Sequence, residues 1–525
     1  MQGEFDAVIV GAGHNALACA AHLGRRGWRV AVFEQAARAG GAIKTLELTE
    51  SGFRHDWGAM NLSLFAGSAF FRAYGDDLAR HGLEFAPVSD CFASVFEDGR
   101  WLGVSTDRDA TRARIAAFSE RDAAAWEDML AGFGDAAESL FGLLSSPMKK
   151  RALAAFLWRT LRRRGLAGTQ DLARFLLASP RQYLNERFET PQMRALLAAW
   201  GMHLDFAPDI AGGALFPYLE GMANQSFGMV LGRGGADTVT HALQAMVEES
   251  GGVVQCDAPV RRVLREGGRA IGVELSDGTR VAARRAVIAG TAPGALVDQL
   301  LEGESGDARF DAGLRNFAHA PGTMMLHLAL DALPQWRADA ALQRFAYVHI
   351  APSLDQMART YAQAQAGLLP DAPVIVVGQP GTVDPSRAPK GKHTLWVQVR
   401  MVPADIRGDA GGTIDARDWD AAAEPMAARV MDIIERHAPG VRAQVIAKRV
   451  VTPPQLEADN PNLVGGDQVC GSHHLAQHFL FRPLRGHADG RTPVKGLHLV
   501  GAGVWPGAGV GAGSGYLLGR ALAGG

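Results

Sequence analysis

Apolar residues along the chain run in two rhythms, and where they change marks the elements. An apolar run at 8–10 meets a glycine-rich turn, Gly11-Ala12-Gly13, followed by a helix-like stretch and a second apolar run, Val30 to Phe33, ending at the acid Glu34. That order predicts a strand, a helix and a second strand. From about 108 to 205 the spacing becomes helical, rich in Ala, Leu, Arg and Glu. Strand-like runs return at 252–254, 260–264, 270–275 and 285–289, with Asp277-Gly278 as a hairpin turn. Between 320 and 452 the runs 324–330, 345–350, 374–377, 394–399 and 445–451 alternate or are β-rich, and a helix near 420–437 interrupts them. Residues 455–490 are loop-rich, and the chain closes with a strand at 497–500, a glycine-dense turn and a helix.

The fold class this predicts is α/β, a Rossmann-like dinucleotide-binding domain with a discontinuous substrate domain built on a mixed sheet and a helical cap. The expected division is 1–75, 225–300 and 490–525 for the nucleotide domain, 76–224 for a largely helical cap and substrate region, and 301–489 for the substrate domain with its mixed sheet.

At 525 residues the chain is long enough for two or three domains. A net charge of −2 leaves no basic excess to neutralise phosphates, which argues against a nucleic-acid partner. Cys19, Cys91, Cys256 and Cys470 lie far apart with no CxxC or zinc spacing, so reduced packing residues and a cytoplasmic setting are expected. The start, Met-Gln-Gly-Glu-Phe-Asp, lacks the basic and apolar regions of a secretory signal. The longest uncharged stretch, 496–519, is glycine-rich and broken by Pro506, unlike a membrane span.

The first turn carries a specific chemistry. Gly11 permits the tight turn, Gly13 lets backbone approach a pyrophosphate, and Ala16 fills the third small position, where helix meets strand. The helix N-terminus then faces the phosphates. Glu34, 23 residues after Gly11, suits the ribose hydroxyls of an adenine dinucleotide. Gly40-Gly41 and Gly232 to Asp237 offer further close backbone approaches. The turn from Gly501 to Gly507 precedes the last helix, whose N-terminus suits a group gaining negative charge, such as the N1–C2=O edge of a reduced flavin. No second GxGxxG follows a strand, so neither a separate nicotinamide domain nor a redox dithiol is expected, and reoxidation requires oxygen, a quinone or another acceptor.

With these motifs in place, the chain resembles the phytoene desaturase-like flavoproteins, and more narrowly the branch holding the desaturase-type carotenoid ketolase and the pyridine nucleotide-disulphide oxidoreductase domain 2 proteins. The resemblance rests on Val-Gly-Ala-Gly-His-Asn at 10–15, Glu34 with Gly40-Gly41, Gly52-Phe53 with Asp56 and Gly58, Arg233-Gly234-Gly235, Ala258-Pro259-Val260, Gly465-Gly466-Asp467, Arg482-Pro483 and Thr492-Pro493 through Gly503. It implies non-covalent FAD, with Val260 offering backbone groups to adenine and Gly501–Gly507 wrapping the isoalloxazine. The cofactor-binding set expected is Gly11, Gly13, His14, Asn15, Ala16, Glu34, Gly40, Gly41, Val260, Gly503, Gly509 and Val510. The chain departs from the family pattern at Ala16, at Trp505, where many relatives carry His, and at Ala508.

The expected reaction is oxidation of an apolar, unsaturated small molecule, by desaturation or related C–H chemistry, with hydride passing to flavin N5. His55, Asp56 and Trp505 are the candidate chemical participants, and no metal set is seen among His203, His473, His474 and His478. Amine oxidation at C–N, redox-neutral polyene isomerisation and a flavin-free binding role like that of GDP-dissociation inhibitors are the alternatives. Lys149-Lys150-Arg151, Arg159 and Arg162-Arg163-Arg164 flank Leu153, Phe156, Leu157, Trp158 and Leu161, a basic amphipathic pattern suited to peripheral membrane contact through 149–164.

Overall fold

A computed structural model describes residues 4–524. The strand Phe5–Val10 lies between Val30–Phe33 and Arg280–Ala289 in parallel pairings. Its Ala7–Ile9 core has no solvent exposure, as a run covered on both faces requires. The sheet continues from Val30–Phe33 to Val253–Gln255, and Leu497–Leu499 pairs with the far edge of Arg280–Ala289. That ten-residue strand changes partners along its length. Its first half alternates buried and exposed positions and pairs antiparallel with Arg269–Leu275. Its last four residues are all buried and sit between two parallel neighbours.

The second sheet runs Val445–Val451, Gly322–Leu330, His393–Val402, Val374–Gly378, Tyr347–Ile350, Asp90–Val95, Trp101–Ser105. The last two strands lie within the largely helical region 76–224, at positions where the sequence reading named no strand. Asp98-Gly99 turns between them, the same dipeptide signal that marks the hairpin at 277–278. One face of this sheet, with Leu326, Val348, Ile375 and Val397, packs on the amphipathic helix Trp419–His437. The opposite face points toward the helices and carries a different set of side chains, described below.

The helical block includes Arg108–Ala116, Glu120–Ala131, Phe133–Leu144, Lys150–Leu177, Pro191–Met202 and Leu215–Phe227. Serine, threonine or aspartate side chains cap several of these, including Asp107, Ser119 and Thr190. Lys150–Leu177 breaks at Gly165, whose φ of +68° suits glycine. Among the described residues, no helix is long and apolar enough to cross a membrane.

A buried ion cluster joins the short strand Arg54–Asp56, the end of strand Met229–Gly232 and the turn 384–387. Arg387, with no exposure, donates to Asp56 (2.8 Å), Asp384 (3.0 Å) and the Gly232 carbonyl (2.8 Å). Burial pushes the Asp384 carboxyl up, but donors from Ser386, the Gly234 N–H and Arg387 outweigh it and hold the group below the usual aspartate range.

Candidate functional site

The first helix, His14–Arg25, begins at Gly13, which has no side chain to cap it and an ordinary extended backbone (φ −68°, ψ 159°). Its first-turn N–H groups therefore await an outside acceptor, the condition for anion binding. A Cβ added at Gly13 meets nothing within 4 Å. Open space thus faces the backbone where a pyrophosphate must approach. Gly11 turns at φ +87°, and Ala16 packs near Gly290, whose added Cβ would lie 3.4 Å from the Ala16 methyl carbon. Glu34 accepts from the Ala12 N–H (2.7 Å) and the Ala36 N–H (2.9 Å), which fixes its carboxylate beside the turn. Ala258 N–H donates to the Glu34 carbonyl at 2.8 Å, which brings the start of Val260–Glu266 next to the acid. Gly40 bridges to Gly13, and a Cβ on Gly41 would stand 3.4 Å from the Gly13 Cα.

The carboxyl-terminal turn closes on the same place. A Cβ at Gly515 would lie 1.8 Å from the Asn15 carbonyl oxygen, so glycine lets the last helix, Gly513–Ala523, cross the first. His14 bonds the Gly509 backbone, and burial lowers its pKa to about 4. Val510 joins the core of Ala7, Ile9 and Ala12. Gly503 lies against Pro293, and the Gly501 N–H donates to Ser514 Oγ at 3.0 Å. The last helix, like the first, has neither a side-chain cap nor an acid in its first turn. Two uncapped N-termini, open space at Gly13 and a fixed acid at the second strand end fit a dinucleotide with its flavin end at the carboxyl-terminal turn.

The inner face of the second sheet is read from strand register. His327, Trp396, Gly378, Tyr347 and Phe92 are successive cross-strand partners and form one row. Gln398, Val376, His349 and Ser94 form the next. Trp57 stacks over His327 at 6.3 Å, and Trp200 meets the His349 and Tyr347 rings edge-on. Burial holds His327 and His203 well below the ordinary histidine range and His349 at about 3, so these imidazoles are neutral.

Two of the expected chemical participants have other tasks. Asp56 accepts from Thr45 Oγ1, the Ala236 N–H and Arg387, which leaves its carboxylate committed to the ion cluster rather than free as a base. Trp505 is buried against Phe479 and His478 and donates its indole N–H to the Ser146 carbonyl at 2.9 Å. It anchors the helical block to the carboxyl-terminal turn. His55 is held by Thr49 through Nε2 (2.8 Å) and lies 5.5 Å from His327, on the inner face.

Sequence reasoning placed His473 among histidines forming no metal set and Arg482 in a family motif, but missed what they do: His473 accepts the Ala508 N–H at Nε2 (2.9 Å) and sets the turn, and Arg482 donates to the Ala502, Ser472, Cys470 and Gly471 carbonyls. It also missed Glu220 on Leu215–Phe227, whose pKa burial raises to about 7 against the Asn224 amide bond. The alternation Tyr347–His349 and Trp396–Gln398 is a signal that could have shown an inward polar–aromatic face. Among the described residues, no group of three or more potential ligands could hold a metal ion.

A model of the flavin containing amine oxidoreductases matches residues 17–408. The chain belongs to that family. It is an FAD-dependent oxidoreductase with the α/β fold the sequence implied. Among its relatives, the pyridine nucleotide-disulfide oxidoreductase domain-containing protein 2 of Mus musculus is 28% identical over 97% of this chain and 92% of its own length. A neurosporene-forming phytoene desaturase of Rhodobacter capsulatus is 25% identical over 99% and 94%. These likenesses agree with the phytoene desaturase-like resemblance drawn from the motifs. A crystal structure of an oxidoreductase from Methanosarcina mazei shares the fold at a TM-score of 0.62, with 17% identity and 98% of both chains covered.

Proposed function

We propose that this oxidoreductase oxidises an apolar, unsaturated small molecule at a C–H bond, by desaturation or a related reaction. The observation that carries this reading is the inner sheet face, where Trp57, Trp200, Tyr347 and Trp396 surround neutral histidines and Asp56 is withdrawn into an ion pair. A substrate held there meets aromatic surface, and its reactivity depends on orientation rather than on a strong side-chain base. FAD, when bound, supplies the hydride acceptor. The residues proposed to hold it are Gly11, Gly13, His14, Asn15, Ala16, Glu34, Gly40, Gly41 and Val260 at the nucleotide end, and Gly503, Gly509 and Val510 at the flavin end. Oxygen or a quinone is the proposed final acceptor, and the similarity to a phytoene desaturase supports a long hydrocarbon-like substrate.

Glu220 favours a second reading, C–N oxidation of an amine. Burial raises the pKa of its carboxyl group, and its charge acts on Tyr347 of the inner face, so an ammonium group there would meet an acidic partner. Anaerobic mixing with polyenes, amines and hydroxy compounds separates the two. Bleaching of flavin absorbance by polyenes supports the proposal. Bleaching by amines alone, abolished in Glu220→Gln, replaces it with the amine reading, and polyene turnover without net bleaching indicates the isomerase.

The role of Glu34 has its own test. Glu34→Ala removes the acceptor for Ala12 N–H and for ribose hydroxyls, and charged hydrogen bonds of this kind contribute about 1.5–3 kcal/mol. FAD affinity, measured by fluorescence titration of the apoprotein, is expected to fall roughly tenfold to a hundredfold. Unchanged affinity removes Glu34 from the site.

Peripheral membrane contact is the third part of the proposal. Leu157, Trp158 and Leu161 are 50%, 60% and 37% exposed on Lys150–Leu177, beside exposed Lys150, Arg151, Arg159 and Arg162. Apolar side chains standing in solvent next to basic ones match an anionic lipid surface. Replacing the three apolar residues by serine is expected to abolish flotation with anionic liposomes and leave flavin content intact. A parent protein that does not float with such liposomes overturns the membrane contact.

A further inference from the structure

Unpartnered polar atoms collect on the inner sheet face around His327. Both ring nitrogens of His327, Nδ1 of His55, and the indole nitrogens of Trp57 and Trp396 are buried without a hydrogen-bond partner. The parent residues are 7% exposed or less. Trp57 and Trp396 both flank His327, one stacked over its ring and the other beside it in register. Farther along the same face, beyond Tyr347, Trp200 holds a third unpartnered indole nitrogen.

A buried donor without a partner is costly, and native interiors rarely leave several together. An indole N–H only donates, so nothing but an acceptor satisfies it. A pure hydrocarbon offers none, and an ammonium group would bring one donor against another. The structure assigns the substrate a hydrogen-bond-accepting oxygen (a carbonyl, hydroxyl or ether) on its apolar body, seated at Trp57 and Trp396. Neutral His327 is free to donate to that oxygen or to accept from a hydroxyl proton, so this set of groups suits both carbonyl and alcohol. The inference rests on the proposed reading of this sheet face as the substrate floor and narrows it from apolar to oxygenated apolar molecules.

The test compares geranylacetone with the hydrocarbon of the same skeleton, in which a methylene replaces the carbonyl. Both are titrated into the flavin-loaded protein under anaerobic conditions, in one detergent, with binding followed by calorimetry and flavin difference spectra. The ketone is expected to bind at least about tenfold more tightly, the scale of one satisfied buried donor. In Trp396→Phe the preference is expected to fall to threefold or less through loss of ketone affinity, and Trp57→Phe provides a second variant should the first lose its flavin. Equal binding of the two probes, binding of neither, or a full preference persisting in both variants overturns the inference. Failure of the broader proposal looks different: the ketone preference persists while neither polyenes nor their oxygenated analogues bleach the flavin.

Discussion

A valine at position 13 is expected to yield a folded protein that has lost its yellow colour. Gly13 adopts a backbone conformation open to any L-residue, and its added Cβ has no protein atom within 4 Å. The side chain therefore costs the apoprotein little, in contrast to position 515, where any side chain would collide with Asn15. What it does obstruct is a pyrophosphate approaching the first-helix N-terminus. Gly13→Val should retain the parent far-ultraviolet circular dichroism and urea midpoint of the apoprotein, and bind FAD at least a hundredfold more weakly. Stoichiometric FAD in this variant would place the pyrophosphate elsewhere.

Removal of Arg387 is expected to produce the largest loss of stability. Arg387→Ala leaves the buried carboxylates of Asp56 and Asp384 without their shared cation, and breaking such a pair costs about 3–5 kcal/mol. Because Asp56 also bonds Thr45 and Ala236, the damage reaches the hairpin Thr45–Asp56 and the turn before Thr238–Glu249, so weaker FAD retention should accompany it. The pH dependence has a definite sign. A carboxyl group whose folded pKa is depressed, as that of Asp384 is, adds stability above the unfolded value of about 3.9 and loses it as pH falls through the folded value. The gap between parent and variant, read from urea unfolding, should be wide at pH 7 and narrow below about pH 4. A constant gap across that range contradicts the ion-pair account.

Much of the nucleotide domain was legible because its constraints are local. Gly11, Gly13, Ala16 and Glu34 sit within a single strand–helix–strand unit, where spacing alone carries the geometry. The glycine-dense turn before the last helix was legible, but the crossing of that helix over the first, which Gly515 permits beside Asn15, was not. The strand pair Asp90–Val95 and Trp101–Ser105 was hidden by its distance from the remaining strands of its sheet and by the helical block that separates them. Asp56 and Trp505 looked chemical because they stand in segments expected near the flavin. Their actual partners, Arg387 and Ser146, lie 331 and 359 residues away, and no spacing rule reports such a pairing. For the same reason the inner sheet face was invisible as a unit, since His327, Trp396, Tyr347 and Trp57 become neighbours only through strand register and the fold of the hairpin.

If sequence-distant glycine turns enclose one dinucleotide, hydrogen exchange of the apoprotein and the FAD-reconstituted protein will register FAD at all of them together. FAD is expected to slow exchange together at 11–16, 34–41, 258–260 and 501–513, and to leave the remote edge strand Val445–Val451 unchanged. Protection confined to the amino-terminal segments, with 501–513 exchanging at one rate in both forms, would contradict it.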